Sequence, residues 1–213
     1  MLAEIKKAVF FGAHTDDEMI CAGTLHLLVR SSVEVHVVTF APAAIESDRR
    51  GGSESVEVVY REWVKSMRTI GVAKCHFNEY LPSADFSLHS QKVCQFTYDW
   101  CEAEKPDLVF TLSPDDENTA HSIVGVECER VTRGRVPITL RCQFPWNYSI
   151  GRSNLYVKLE PEDLEVKRKV IDCYKSQHFR YRYGEMLLNY VRADGLSVKV
   201  EAAEKFELIR GVV

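Results

Sequence analysis

The chain has 213 residues, room for one substantial domain, and its 27 Lys and Arg against 31 Asp and Glu give a formal charge of −4, so no basic stripe suits it to general nucleic-acid binding. Apolar residues make up 46% and charged residues 27%, an ordinary globular mixture, and no apolar run approaches the roughly 20 residues of a membrane-spanning helix. The seven cysteines, Cys21, Cys75, Cys94, Cys101, Cys128, Cys142 and Cys173, are scattered without a Cys-x-x-Cys pair; this speaks against a disulfide framework or a cysteine zinc site and for free thiols in a reducing compartment. Met1 to Lys7 has no apolar signal core, so no signal peptide and a cytoplasmic location are expected.

In chain order, Ala8-Val9-Phe10-Phe11 reads as a fully buried strand, and Met19 to Leu28 carries apolar residues at near-helical spacing. Glu34 to Phe40 is a second buried strand ending at Ala41-Pro42, and the polar, Gly-rich stretch Ile45 to Ser53 reads as a loop on the same rim. Val58, Val59, Trp63, Val64, Met67 and Ile70 predict a helix over 55–70, closed by Gly71. Lys74 to Tyr80 is a third strand, Ser90 to Glu104 a helix stopped by Lys105-Pro106, and Asp107 to Leu112 a fourth strand. A helix is expected from near His121 to about Thr132, a fifth strand over Pro137 to Phe144 and a helix over Leu164 to Ser176. In the tail, Phe206 to Arg210 reads as an edge strand. Strands alternating with helices of this length predict a parallel sheet covered on both faces. With no repeat and no low-complexity linker, residues 1–213 are read as one domain.

The stretch His14-Thr15-Asp16-Asp17-Glu18 puts an imidazole and three carboxylates on the turn from the first strand into the first helix. In open α/β sheets that edge is where ligands bind. Adjacent aspartates there need a cation, donors or water, or they simply favour the positive end of the following helix. The turn after the fourth strand, Ser113 to His121, also carries acid and histidine. If the two strands are neighbours, His14, Asp17 and His121 converge at one point of the rim. Two imidazole nitrogens and a carboxylate oxygen are a ligand set for catalytic zinc with a position left for water. Asp16, between the first two, would act as general base toward that water and then as acid toward a leaving amine.

His14-Thr15-Asp16-Asp17-Glu18 resembles the His-Pro-Asp-Asp-Glu signature of the PIG-L / LmbE-type zinc-dependent N-acetylglucosaminyl deacetylases, and Asp116 to His121 resembles their Asp-x-His-x-Asp-His motif. Weaker likenesses extend over most of the chain: Glu62 nine residues before Gly71, Tyr174-Lys175-Ser176-Gln177 against His-x-Ser-Gln, and Glu204-Lys205-Phe206 against a closing Glu-x-Phe. The resemblance implies an α/β, Rossmann-like three-layer sandwich with a mostly parallel central sheet. It implies His14, Asp17 and His121 as zinc ligands, with iron(II) as another divalent ion the set would accept, and Asp16 as the base. Asn118 stands where the family's oxyanion-stabilising histidine often stands and would be a weaker neutral donor. Ala120 replaces an aspartate, and Thr15 a proline that shapes the turn.

The activity expected is hydrolytic removal of an N-acetyl or similar small acyl group from an amino sugar or its conjugate. The alternatives are a hydrolase of another amide or ester and a non-catalytic sugar- or metal-binding descendant. Arg49 and Arg50, beside Gly51-Gly52, are candidates for a substrate phosphate or sugar acid, or else a solvated loop; Arg61 joins them only if it lies at the rim. The aromatics of Phe144-Pro145-Trp146-Asn147-Tyr148, Trp146 first among them, are a candidate sugar-stacking wall or a plain hydrophobic plug. His26, His36 and His76 read as packing or surface residues. The basic-aromatic run His178 to Tyr183 reads as a loop over the site or a homo-oligomer contact. A dinucleotide site is disfavoured, because Gly12-Ala13-His14-Thr15-Asp16 lacks the Gly-x-Gly-x-x-Gly cradle and its carboxylates would repel a pyrophosphate.

Overall fold

A computed structural model describes residues 4–43, 55–77, 88–147, 153–178 and 183–212. Among these residues seven strands and six helices follow one another as β1 (Lys7–His14), α1 (Ala22–Arg30), β2 (Glu34–Ala41), α2 (Ser55–Ile70), β3 (Lys74–Phe77), α3 (Ser90–Glu104), β4 (Leu108–Thr111), α4 (Thr119–Thr132), β5 (Ile138–Cys142), β6 (Leu155–Lys158), α5 (Pro161–Ile171), α6 (Tyr183–Ser197) and β7 (Ala203–Gly211). The strands form one sheet in the order β3-β2-β1-β4-β5-β7-β6. The first five are parallel, while β7 runs antiparallel to β5 and β6 antiparallel to β7. On one face α1, α2 and α5 pack together, with α6 beside α5 and against β7; on the other α3 packs on α4. This is the three-layer α/β sandwich the sequence predicts.

Coverage on both faces explains why β1, β2 and β4 read as unbroken apolar runs rather than alternating ones. Phe10, Phe11 and Phe110 are fully buried, each contributing about 1.5–3 kcal/mol relative to exposure. At the margin β6 alternates half-buried and exposed residues.

The helices α2 and α3 fall where periodicity and terminators place them. The first helix differs: Asp17–Ile20 is a short 3₁₀ turn, Cys21 breaks it, and α1 starts only at Ala22. The tail strand is corrected too. β7 is longer than expected and lies inside the sheet, and β6, which the sequence pattern does not reveal, takes the edge. The helix expected over 164–176 is α5, which starts earlier, at Pro161, where Glu160 and Asp163 form a reciprocal capping box, and ends at Ile171; a separate 3₁₀ turn spans Lys175–Gln177. The third strand ends at Phe77, and Asn78 to Tyr80 lie outside the described residues. Of the run at 178–183, His178 follows the 3₁₀ turn and Tyr183 opens α6, while residues 179–182 lie outside the described residues.

Candidate metal centre

β2 lies on one side of β1 and β4 on the other, so the chain reverses its direction of travel across the sheet between β1 and β4. Beyond the carboxyl ends of two such strands a crevice opens. His14 ends β1, and the turn after β4 leads into α4, which carries His121 in its first turn.

The first loop is shaped by Asp17. Its Oδ2 accepts hydrogen bonds from the backbone N–H of Ala13 and of His14, each 2.7 Å. This fixes the turn and leaves Oδ1 facing the crevice. Gly12 makes room for the turn: a Cβ there would come within 3.2 Å of the Asp17 Cβ and 2.8 Å of the Phe10 ring. Thr15, buried, accepts a hydrogen bond on its Oγ1 from the Ala43 N–H at 3.1 Å and ties the turn to the end of β2. Asp16 is buried, and its side chain makes no capping bond to the 3₁₀ turn it precedes. Asp16 is therefore not a capping side chain for that turn, whose first residues are Asp17 and Glu18.

The second loop places His121. Its Nδ1 lies 2.9 Å from Asp116 Oδ2, an oxygen that also accepts from Asn147 Nδ2 at 3.0 Å; Asp116 Oδ1 accepts from the Asn118 N–H at 2.8 Å. A proton on Nδ1, donated to Asp116, leaves the Nε2 lone pair for the crevice. The His121 ring stacks on Phe144 at 5.0 Å between centroids, and Phe144 stacks on Trp146 at 4.5 Å.

The two loops meet. His121 Nε2 is 3.1 Å from Asp17 Oδ1 and 3.3 Å from His14 Nδ1, and His14 Nδ1 is 3.8 Å from Asp17 Oδ1. Donor atoms bound at about 2.0–2.1 Å around a tetrahedral ion lie roughly 3.3 Å apart, so the three spacings fit a single small cation. The electrostatics agree. The neighbouring imidazoles hold the Asp17 carboxyl well below the usual carboxylate range, although burial opposes its ionisation. Burial likewise opposes charge on His121, yet the Asp17 and Asp116 carboxylates push it up to about 10. Both shifts come from carboxylates and imidazoles packed together out of water, an arrangement in which a divalent ion can take the place of a proton.

Behind the turn, Glu18 is fully buried. Its Oε1 accepts from Ser66 Oγ at 2.5 Å and from the Tyr174 hydroxyl, and burial pushes it up to about 8 against those bonds. Glu62, from α2, accepts on its two oxygens from the Ser176 N–H at 2.9 Å and its Oγ at 2.5 Å.

The remaining candidates fall as follows. Asn118 is exposed and is the N-cap of α4, its Oδ1 accepting from the Ala120 N–H at 3.0 Å; only its NH₂ is left to donate. Arg61 projects from α2 with 68% of its side chain exposed, 3.9 Å from Glu57. Trp146 is half-buried at the end of the aromatic stack. Arg49 and Arg50 lie outside the described residues. His76 packs on Phe96 and Trp100, and His26 pairs with Asp163 at 2.9 Å. His36 sits with Glu34 and Glu104 at the opposite edge of the sheet, the other described cluster with ligand atoms close together. There Lys7 and Lys74 already neutralise Glu104. The sequence reading gave no role to Asp116 or Asn147 and took Phe144 only as one of the aromatics of a sugar-stacking wall or plug; Asp116 lies within the second motif, five residues before the imidazole it orients.

Fold and site together define an α/β protein with a His-Asp-His group at the sheet's switch point. The sequence profile of the PIG-L family, the GlcNAc-PI de-N-acetylases, matches residues 9–131, which span both loops, and the chain belongs to this family. No curated protein matches it by sequence. Among solved structures it is similar to N,N'-diacetylchitobiose deacetylase from Pyrococcus horikoshii, at 18% identity and a TM-score of 0.73 over 99% of this chain and 86% of that one. It is similar to the teicoplanin deacetylase Orf2 in its zinc-inhibited form, at 15% identity and a TM-score of 0.77 over 95% and 97%. It is also similar to GalB, the 4-carboxy-2-hydroxymuconate hydratase of Pseudomonas putida KT2440, at 14% identity and a TM-score of 0.80 over 98% of each chain. At these identities the likeness is one of fold. Among the described residues no helix is long and apolar enough to cross a membrane.

Proposed function

We propose that this chain is a metal-dependent amide hydrolase that removes an N-acetyl or similar small acyl group from an amino sugar or an amino-sugar conjugate. The observation that carries this reading is the convergence of His14 Nδ1, Asp17 Oδ1 and His121 Nε2 within 3.8 Å of one another, with a buried aspartate between two of them in sequence. When bound, a divalent ion, zinc in this reading, supplies an acidified water and polarises the acyl oxygen. His14, Asp17 and His121 hold it, and Asp116 keeps His121 in the tautomer that binds. Asp16 takes the proton of the attacking water on its carboxylate and passes it to the departing amine. The Asn118 NH₂ donates to the developing oxyanion, and Trp146, with Arg49, Arg50 and Arg61 as further candidates, faces the sugar or its substituent. Membership in a de-N-acetylase family and the acetylated substrates named for two structural neighbours support the reaction class.

The test is acetate release from a panel of N-acetylated amino sugars and conjugates, by protein loaded in turn with Zn²⁺, Fe²⁺ and Co²⁺. A neighbour characterised in a zinc-inhibited form makes the choice of ion part of the experiment. Asp16→Ala is expected to retain the ion and lose turnover by about 10²–10⁴-fold; equal turnover in the variant removes Asp16 from the role of base. A second reading is a specialised descendant without deacetylase activity, favoured by one observation: Asn118 spends its side-chain oxygen on the α4 cap. Ion binding with no acetate released across the panel would decide for it.

A further inference from the structure

The polypeptide breaks between the 3₁₀ turn that carries Asp17 and the helix α1 that follows. Cys21, at φ −125° and ψ 17°, is non-helical, so the carbonyls ending the turn and the N–H groups opening α1 lack the partners that a continuous helix would give them. Two buried side chains from distant parts of the sequence supply those partners. Lys167, on α5 and fully buried, donates from Nζ to the carbonyl oxygens of Met19 at 2.6 Å and Ile20 at 2.8 Å, and to Glu204 Oε1 at 2.7 Å. Glu204, on β7 and 3% exposed, accepts on Oε1 from the Gly23 N–H at 3.1 Å and on Oε2 from the Thr24 N–H at 2.7 Å. The ammonium sits where the turn ends in carbonyls and the carboxylate where α1 begins in N–H groups, each against the helix end of opposite partial charge. Each of the three Lys167 protons has an acceptor.

We infer that Lys167 and Glu204 are positioning residues for the metal centre: as a pair they hold the break open, and with it the orientation in which Asp17 presents Oδ1 to the ion. The course of 17–20 is thus held at both ends, by the Ala13 and His14 N–H groups on Asp17 Oδ2 and by the Lys167 ammonium on the Met19 and Ile20 carbonyls. Neither Lys167 nor Glu204 touches the crevice, so their effect passes through the backbone of 19–24. The inference rests on the reading of His14, Asp17 and His121 as a divalent-ion site.

The experiment is calorimetric titration of the metal-free protein with Zn²⁺, together with its thermal midpoint, for wild type, His121→Ala, Glu204→Gln, Lys167→Met and the double variant Lys167→Met/Glu204→Gln. Affinity is read well below the midpoint of each, on folded protein. Wild type is expected to bind one Zn²⁺ that His121→Ala loses. Glu204→Gln, which is isosteric and carries the test if Lys167→Met does not fold, is expected to bind about ten- to a hundredfold more weakly. The double variant leaves no lone charge buried, so its midpoint recovers toward wild type while its Zn²⁺ affinity stays low. That separation is the signature of positioning. Folded variants that bind Zn²⁺ as tightly as wild type overturn the inference, as does a double variant whose affinity recovers together with its midpoint. Wild-type protein that takes up no Zn²⁺ at His121 overturns the reading of the site itself, and the inference with it.

Discussion

Asp116 shows how much of this site depends on one side chain that touches no substrate. Its two oxygens gather His121 Nδ1, the Asn118 N–H and Asn147 Nδ2, so it sets the imidazole's tautomer and orientation together. Asp116→Ala should lower Zn²⁺ affinity by about 10–100-fold with the fold retained, measured by titration of the metal-free protein; unchanged affinity would show that the stack on Phe144 suffices to aim the ring. The convergence of the three side chains of the proposed ion site was legible in the sequence because His14 and Asp17 lie within one turn and His121 lies at an element boundary that a strand and a helix pattern bracket. Asp116 was legible only as part of a motif. Its hydrogen bond depends on how a loop folds back on itself, and no spacing rule reports that. Asn118 illustrates the opposite limit. Its type suits both an oxyanion donor and an N-cap, and only coordinates show its oxygen committed to the cap.

At the level of elements, close approach of α4 to the loop after β4 is what delivers His121. Gly125 makes it possible: a Cβ there would lie 2.7 Å from the Leu112 carbonyl oxygen and from the Pro114 nitrogen, backbone atoms with little freedom to move. Gly125→Ala should destabilise the protein by roughly 1–3 kcal/mol as an overpacked contact and weaken ion binding as well, read as a lower denaturation midpoint and a weaker Zn²⁺ titration. At the far edge of the sheet, Glu104 at the end of α3 accepts hydrogen bonds from Lys7 on β1 and Lys74 on β3, which hold its carboxyl down at about 2. Unfolded, it titrates near 4.5. The folded state therefore gains from this group above about pH 4.5 and loses that gain as pH falls through about 2. Glu104→Gln should cost on the order of 1 kcal/mol at pH 7, and its midpoint should converge on wild type toward pH 2. Helices α2 and α3 were readable because an apolar stripe and a stop, Gly71 or Lys105-Pro106, bound each one. Both β6 and α6 escaped for physical reasons. β6 has four residues and half-exposed alternation, too little to stand out, and α6 begins in a run whose charge and aromaticity conceal its period.

For the whole molecule, the ion would join β1 to α4 across the crevice, so binding should be coupled to global stability. Zn²⁺ at about 100 times its dissociation constant should add roughly 2.7 kcal/mol and raise the melting temperature by roughly 5–10 °C, and a chelator should reverse it. A midpoint indifferent to both would mean that the crevice holds no ion in the folded state. The α/β class and the two-faced sheet followed from alternation of strand and helix patterns. The order of strands did not, because insertion of an antiparallel β7 between β5 and β6 is decided by contacts between residues far apart in sequence. That insertion also bears on how the protein is made. Among the described residues β6 pairs with β7 alone, yet the ribosome delivers β6 first, with α5 and α6 still to come. Until β7 is made, the backbone amides and carbonyls of β6 lack the strand that satisfies them in the folded sheet. The last of the sheet's pairings, β5 with β7 and β7 with β6, are available only once β7 has been made.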